Sequence, residues 1–417
     1  MFFNSIRFPF LKKSQLYIQS IRNKSFAEKM SEALQKVECL NEIKETEREK
    51  TVEKVKTIKA LKKYAKKRKW VEYSPREQTD IASNKCEAAD RIKRKKSAIL
   101  IGYSGVNYFG MQRNPGMSTI EEELFKVMLK HKWITEDGFE QSQNACFQRA
   151  ARTDKGVSAA RQVCSIKLPD NLDIKSINED LPEQIRIFTV QRVTKGFNSK
   201  DQCNARTYSY MLPTISFANY QKQYDSKSYR IDLNTLEKLK EILTTYEGTK
   251  NFHNFTSKKN YHDPSAKRYI ISFTYLEPFL SPHGSEFIKL IVKGQSFMLH
   301  QIRKMVGLAI AIVRGNTTVS TLDRAFTQEK LDLPMAPGLG LVLDTVHYDR
   351  YNERYGKDGL HEPLDWKKYE TEINEFVEKY IDVNIYETEY KEHSMMEWLD
   401  TLHRHSYDVR RDVAVEN

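Results

Sequence analysis

The stretch Ala151-Arg152-Thr153-Asp154-Lys155-Gly156-Val157-Ser158-Ala159 sets one carboxylate between two cations and just ahead of a glycine. Cations beside a carboxylate keep it ionised at neutral pH, as a nucleophile or a base requires. Gly156 permits a sharp backbone turn at that point. The same residues also describe a surface Asp-Lys-Gly turn engaged in a structural ion pair, so local physics leaves both readings open. Two more residues have chemistry to offer. Tyr208 lies in a strand-like run, either as core or as an aromatic face for a ring-shaped ligand. Arg303 falls near the start of a helical pattern, where a cation opposes the helix dipole and so expects a specific partner. His253, His262 and His300 match no familiar metal-ligand spacing and read as structural or RNA-facing. The loop Gly102–Gly110 lacks the G-K-[ST] of a phosphate cradle. No metal and no redox cofactor is expected.

These residues must be held by elements that the hydrophobic pattern outlines. Ala98–Tyr103 is a short apolar run read as a buried strand. A loop with Gly105, Gly110, Pro115 and Gly116 follows. Ser118-Thr119-Ile120-Glu121 has the capping-box pattern and opens a helix with Ile120, Leu124, Val127 and Met128 on one face. Strand-like runs recur at Gln162–Leu168, Gln184–Val193, Ala205–Leu212, Arg268–Leu276, Glu286–Val292 and Leu341–His347. Helical spacing marks Leu233–Tyr246 and Leu299–Arg314, the latter stopped by Gly315. Strands and helices that do not strictly alternate predict an α+β fold, with mixed or antiparallel sheets covered by helices. The pattern before about Phe197 is loosely echoed after Asn204, which predicts two similar halves, 97–203 and 204–350. The tail 351–417 is acidic and partly helical over Lys367–Tyr380 and His393–His403.

Charge is distributed unevenly. Residues 1–96 carry 26 Lys and Arg against 13 Asp and Glu, whereas 351–417 carry 9 against 17. A basic core behind a strongly basic arm fits a polyanionic partner, nucleic acid first, although such runs also serve plain solubility. The chain is 39% hydrophobic, enough for a core, and no stretch reaches the roughly 18 consecutive apolar residues of a membrane span. Five scattered cysteines form no C-x-x-C pair, so neither a zinc finger nor a disulfide framework is expected. Residues 1–27 contain no acid but several Arg, Lys and Ser among apolar residues, the composition of a mitochondrial transit segment. The arm 28–96 reads as a disordered linker with basic clusters at Lys62–Lys69 and Arg91–Lys96, and a start at Met30 would yield a shorter, nuclear form.

The Asp154 segment resembles the catalytic motif of the tRNA pseudouridine synthases of the bacterial-A class, whose R-T-D-x-G-V core carries the catalytic aspartate. Other blocks agree in order. Gly102-Tyr103-Ser104-Gly105 with Tyr108-Phe109-Gly110-Met111-Gln112 resembles the family's first strand and loop. Ala205-Arg206-Thr207-Tyr208-Ser209-Tyr210 resembles the segment whose first tyrosine stacks in the active site. Phe297-Met298-Leu299-His300-Gln301-Ile302-Arg303 resembles the helix start that delivers an arginine. Ala336-Pro337-Gly338-Leu339-Gly340-Leu341 resembles the closing strand whose leucine lines the pocket. The resemblance spans about 97–347. Ser158, where bacterial members usually carry His, together with Gly110–Gly116 and Gly196–Lys200, resembles the eukaryotic type-1 enzymes of anticodon-stem uridines. The insertion Lys258–Ala266 departs from compact bacterial members.

The resemblance implies that uridine in tRNA is isomerised to pseudouridine, with other RNAs as conceivable substrates. Asp154 would be the catalytic carboxylate, without metal or cofactor. Tyr208 would stack on the base and could take part in proton transfer. Arg303 would pair with Asp154, and Leu341 would line the pocket. Arg152 would fill the space left by the extracted base or grip its phosphate. A uridine in a stem must first leave the stack. Two rival readings remain at this point. One is a non-catalytic RNA-binding protein that kept the fold, which predicts loss of Asp154, Tyr208 or Arg303. The other is a metal-dependent RNA hydrolase, which requires clustered carboxylates with histidine.

Overall fold

The computed structural model describes residues 92–409. The acid-free segment 1–27, Met30, the cluster Lys62–Lys69 and the arm as far as Arg91 lie outside the described residues. The fold is a mixed α+β arrangement on one large sheet. Its strands are β1 (Lys95–Tyr103), β2 (Gln148–Arg149), β3 (Ser158–Leu168), β4 (Ile185–Arg192), β5 (Ala205–Pro213), β6 (Gly248–Asn251), β7 (Lys267–Tyr275), β8 (Phe279–Leu280), β9 (Glu286–Gly294) and β10 (Leu341–His347). They run in the order β4-β1-β3-β10-β5-β9-β7-β6, with β2 on the far end of β3 and β8 on β9. In place of separate sheets there is one, because β10 pairs with both neighbours. It runs antiparallel to β5, and it meets β3 in a short parallel contact at Val342–Ser158 and Leu343–Ala159.

β1 begins at Lys95, three residues before the apolar run Ala98–Tyr103. Arg94 donates from Nε to the Trp133 carbonyl at 3.1 Å, and the buried Lys96 Nζ donates to the Cys146 carbonyl at 2.6 Å. The last basic cluster is therefore partly built into the fold and does not end a free arm.

Three long helices cover the sheet: α1 (Ile120–Lys130), α2 (Leu233–Thr245) and α3 (Gln301–Arg314). α1 buries Ile120, Leu124, Val127 and Met128 as their spacing predicts. Its cap is Thr119, one residue later than the expected Ser118. The Thr119 hydroxyl accepts from the Glu122 N–H, while Glu121 is used elsewhere and cannot complete a box. α2 is capped by Asp232 and buries Leu236, Leu239, Ile242 and Leu243. α3 is bounded at both ends by left-handed residues, His300 (φ 63°) and Gly315 (φ 89°). At Gly307 a Cβ would come within 2.6 Å of the Pro334 carbonyl oxygen, so the absent side chain lets α3 press on the 334–336 segment.

The acidic tail forms further helices, α4 (Glu370–Val377), α5 (Val383–Glu392) and α6 (Ser394–Leu399), with a widened π-type turn at Glu378–Asp382. Phe376 of α4 meets Phe188 of β4 edge-on, ring centroids 5.7 Å apart. No helix among the described residues is long and apolar enough to cross a membrane.

Candidate active site

Asp154 sits in the turn that leads into β3. The turn closes where the Val157 N–H donates to the Asp154 carbonyl at 3.1 Å, and Gly156 supplies the positive φ of 78°. Behind it, the buried Gln162 holds Ala151 on both sides. Its Nε2 donates to the Ala151 carbonyl at 2.8 Å and its Oε1 accepts from the Ala151 N–H at 3.2 Å. Thr153 is buried with its hydroxyl 2.9 Å from the Tyr103 phenol. In front, the loop after β1 lies directly on the turn. A Cβ at Gly105 would come within 2.5 Å of the Val157 carbonyl oxygen, and one at Gly110 (φ 91°) within 2.5 Å of that of Thr153. Only glycine allows this approach, which explains the glycines of the loop.

Asp154 is exposed and forms no ion pair among the described residues. The two flanking cations do not clasp it. Arg152 is exposed, and the Lys155 ammonium lies 4.6 Å from the centre of the Phe109 ring. The expected Arg303–Asp154 pair is not formed either. Arg303 Nε donates to the Ala336 carbonyl at 2.7 Å, while the Ala336 N–H returns a bond to the Arg303 carbonyl at 3.1 Å. Burial lowers the Arg303 guanidinium, opposed by the neighbouring Tyr210 phenol and then by the Asp154 carboxylate. Arg303 thus acts on Asp154 through its field, from a seat fixed by backbone.

The 336–341 loop that provides this seat is wound closely. The Tyr210 hydroxyl donates to the Pro337 carbonyl at 2.7 Å, and at Gly340 any Cβ would run into the Met211 carbonyl oxygen. Tyr208, one residue pair along β5, is buried and meets Phe297 edge-on at 5.3 Å. Burial pushes its phenol up to about 12, and Arg206 nearby offsets this in part. At neutral pH the hydroxyl is therefore protonated. Its oxygen has no hydrogen-bond partner among the described residues.

All five residues singled out by sequence, Arg152, Asp154, Tyr208, Arg303 and Leu341, line one cleft of about 530 Å³. Its rim adds Gln112, Arg149, Lys200, Arg206 and His300. The imidazole of His300 is lowered by burial and by Arg303, so it is neutral at neutral pH. His253 is buried and faces the Glu329 carbonyl, while His262 is at the surface. No group of three potential metal ligands occurs among the described residues.

The family profile described as tRNA pseudouridine synthase matches residues 242–349, from α2 to the end of β10. Among curated relatives, the Mus musculus protein named Pseudouridylate synthase 1 homolog is 50% identical, covering 77% of this chain and 77% of its own length. The chain belongs to the tRNA pseudouridine synthase family. The Homo sapiens protein of the same name is also 50% identical, over 75% of this chain and 74% of its own length. A Kluyveromyces lactis tRNA pseudouridine synthase 1 is 33% identical over 80% of this chain and 74% of its own length.

Within this family member, two contributors to the site had no role in the sequence reading. Arg206 was quoted only as part of a motif. Its guanidinium donates twice to the Ala150 carbonyl, at 2.7 and 3.2 Å, and once to that of Gln295 at 3.1 Å, tying the segment that leads into the Asp154 turn to the 295–301 segment. The sequence spacing marks Glu121 as part of a helix cap. It is 1% exposed and accepts two bonds from Arg149 Nη2, at 2.7 and 2.9 Å, and one from the Arg113 N–H at 3.1 Å. Neither role is legible locally, since the partners lie far along the chain or on anonymous backbone.

Proposed function

We infer that this chain converts uridine to pseudouridine in tRNA and that Asp154 is the carboxylate that carries the chemistry. The observation behind the second part is the gathering of Asp154, Tyr208, Arg303 and Leu341 from four separate segments into one cleft. The reaction breaks the N1–C1′ bond of uridine, turns the base and joins C1′ to C5; the proton on C5 leaves and N1 takes one up. It is an isomerisation, so electrons balance without a redox partner. Asp154 stands open to the cleft, where it can form a transient bond to C1′ or support proton abstraction. Tyr208 offers an aromatic face to the base and a protonated hydroxyl for proton transfer. Leu341 closes the apolar wall behind the base. Arg303, seated on the Ala336 carbonyl, sets a positive charge in the same cleft as Asp154. The cationic rim of Arg152, Lys200 and Arg206 suits phosphates.

The finer readings are also ours. The target is a uridine of the anticodon stem, as the Ser158 form of the motif implies. We read 97–203 and 204–350 as similar halves enclosing an RNA-binding cleft. The repeated order β4-β1-β3-β2 and β10-β5-β9-β7 supports this. The segment 1–27 supports mitochondrial targeting of the full chain, with a nuclear form starting at Met30.

Tritium release from tRNA labelled at uridine C5, run beside a filter-binding measurement, tests the assignment. The wild-type protein should release tritium and Asp154→Asn should not, while both bind tRNA alike. Substantial release by Asp154→Asn would remove this residue from the chemistry.

A further inference from the structure

At the mouth of the cleft stands an apolar side chain that the roles above leave unused. Leu299 is 53% exposed, although it lines the same cleft as Asp154. Its neighbours Phe297 and Met298 are half-buried against the core. The cleft around it also carries the cationic or polar side chains Arg152, Lys200, Arg206 and His300.

The turn that presents Leu299 is clamped from several sides. His300 takes a left-handed φ of 63°, a conformation disfavoured for a residue with a Cβ and kept only where the surroundings dictate it. Gln301, fully buried, accepts the Met298 N–H on its Oε1 at 2.9 Å, and the Gln301 N–H donates to the Met298 carbonyl at 3.1 Å. The buried Thr256 hydroxyl donates to the Leu299 carbonyl at 2.9 Å. The side chain is thus held out into water by a stiff, strained turn.

We propose that Leu299 enters the base stack of the substrate when the target uridine is drawn out, a substrate contact that rests on the enzymatic reading above. A uridine in a stem leaves its stack at a cost in unpairing and unstacking. Apolar side chains that wedge between base steps offset that cost by covering the exposed faces. A leucine on a rigid turn can do this, because its position does not depend on the substrate. Arg152 had been left with two tasks. Its charged, planar head suits a phosphate better than the interior of a stack, so the phosphate is its task and the vacated space belongs to Leu299.

The test compares two tRNA substrates, one with the target uridine paired and one with its partner nucleotide changed so that it is mispaired. Leu299→Ala should lower kcat/KM on the paired substrate by about tenfold or more, and on the mispaired one by about threefold or less, because a mispaired base is already loose. Leu299→Met should restore activity on both. In the Asp154→Asn background, 2-aminopurine beside the target should brighten on binding, and Leu299→Ala should remove that signal. Equal losses of kcat/KM on both substrates, or no loss on either, would overturn this proposal and leave the enzymatic reading standing. Wild-type protein that makes no pseudouridine on either substrate would overturn both.

Discussion

Glu121 and Asp154 are both carboxylates beside arginines at the same end of the sheet, and they have opposite surroundings. Glu121 is shut away with Arg149 and the Arg113 backbone, every oxygen occupied. Asp154 is exposed, held only by its backbone, with Arg152 and Arg303 both turned to other partners or to solvent. An ion pair completed inside the protein fixes structure and has nothing left for a substrate. A carboxylate that no cation clasps keeps its oxygens open to a substrate. Arg149 and Arg152, three residues apart, show the same division. Arg149 is spent on Glu121, and Arg152 remains available.

The sharpest break of this contrast is to neutralise each acid in turn. Glu121→Gln should cost about 1–3 kcal/mol of stability, since it takes the charged partner from the half-buried Arg149 guanidinium, yet leave kcat per folded molecule nearly unchanged. Asp154→Asn should do the reverse, with an unchanged melting temperature and no turnover. Chemical denaturation beside tritium release measures both, and a stability loss shared by the two variants would erase the distinction. Next in size is Arg303→Lys, expected to lower kcat by about a hundredfold, because an ammonium cannot keep the seat on the Ala336 carbonyl and project charge as a planar guanidinium does. An unchanged kcat would show that its field on Asp154 is idle.

Tyr208→Phe separates stacking from proton transfer. It should lower kcat by about a hundredfold with KM kept if the hydroxyl moves a proton, and hardly at all if only the ring matters. Because the phenol is pushed up to about 12, it stays protonated through the working range. The pH–rate profile should therefore show no alkaline limb from Tyr208 below about pH 11. The smallest expected effect is that of Arg152→Ala. It should weaken tRNA binding and lower the slope of log affinity against log salt by about one. No change in slope would mean that Arg152 meets no phosphate.

How far the sequence carried differs between fold and site. β10 begins and ends where its apolar alternation does, and α2 and α3 bury the faces their spacing marks. Missing from the reading are the short helical turns Glu136–Glu140, Ile174–Asp180, Val319–Ala325 and Asp349–Tyr355, and the edge strand β6, all too brief for a period to show. The five residues that the motifs single out line one cleft. Their partners were not legible in the sequence. Arg303 is seated by a backbone carbonyl, and Lys155 turns to an aromatic ring rather than to Asp154. A carbonyl has no letter in the sequence, and a neighbour along the chain need not be a neighbour in space.

The parallel contact between β3 and β10 has a consequence for the life of the chain before it is finished. Ser158 and Val342 are paired although 184 positions separate them. Such distant pairings form late, after the loops between them have closed. The contact stands beside the Asp154 turn on one strand and Leu341 on the other, so it also sutures the two walls of the cleft. On the ribosome, a chain that has emerged only as far as α3 already displays Asp154, Tyr208 and Arg303, but without the 336–341 seat and without the suture. Competence therefore arrives late in synthesis, and the growing chain passes among the cell's RNA for most of its emergence without a finished cleft to receive it.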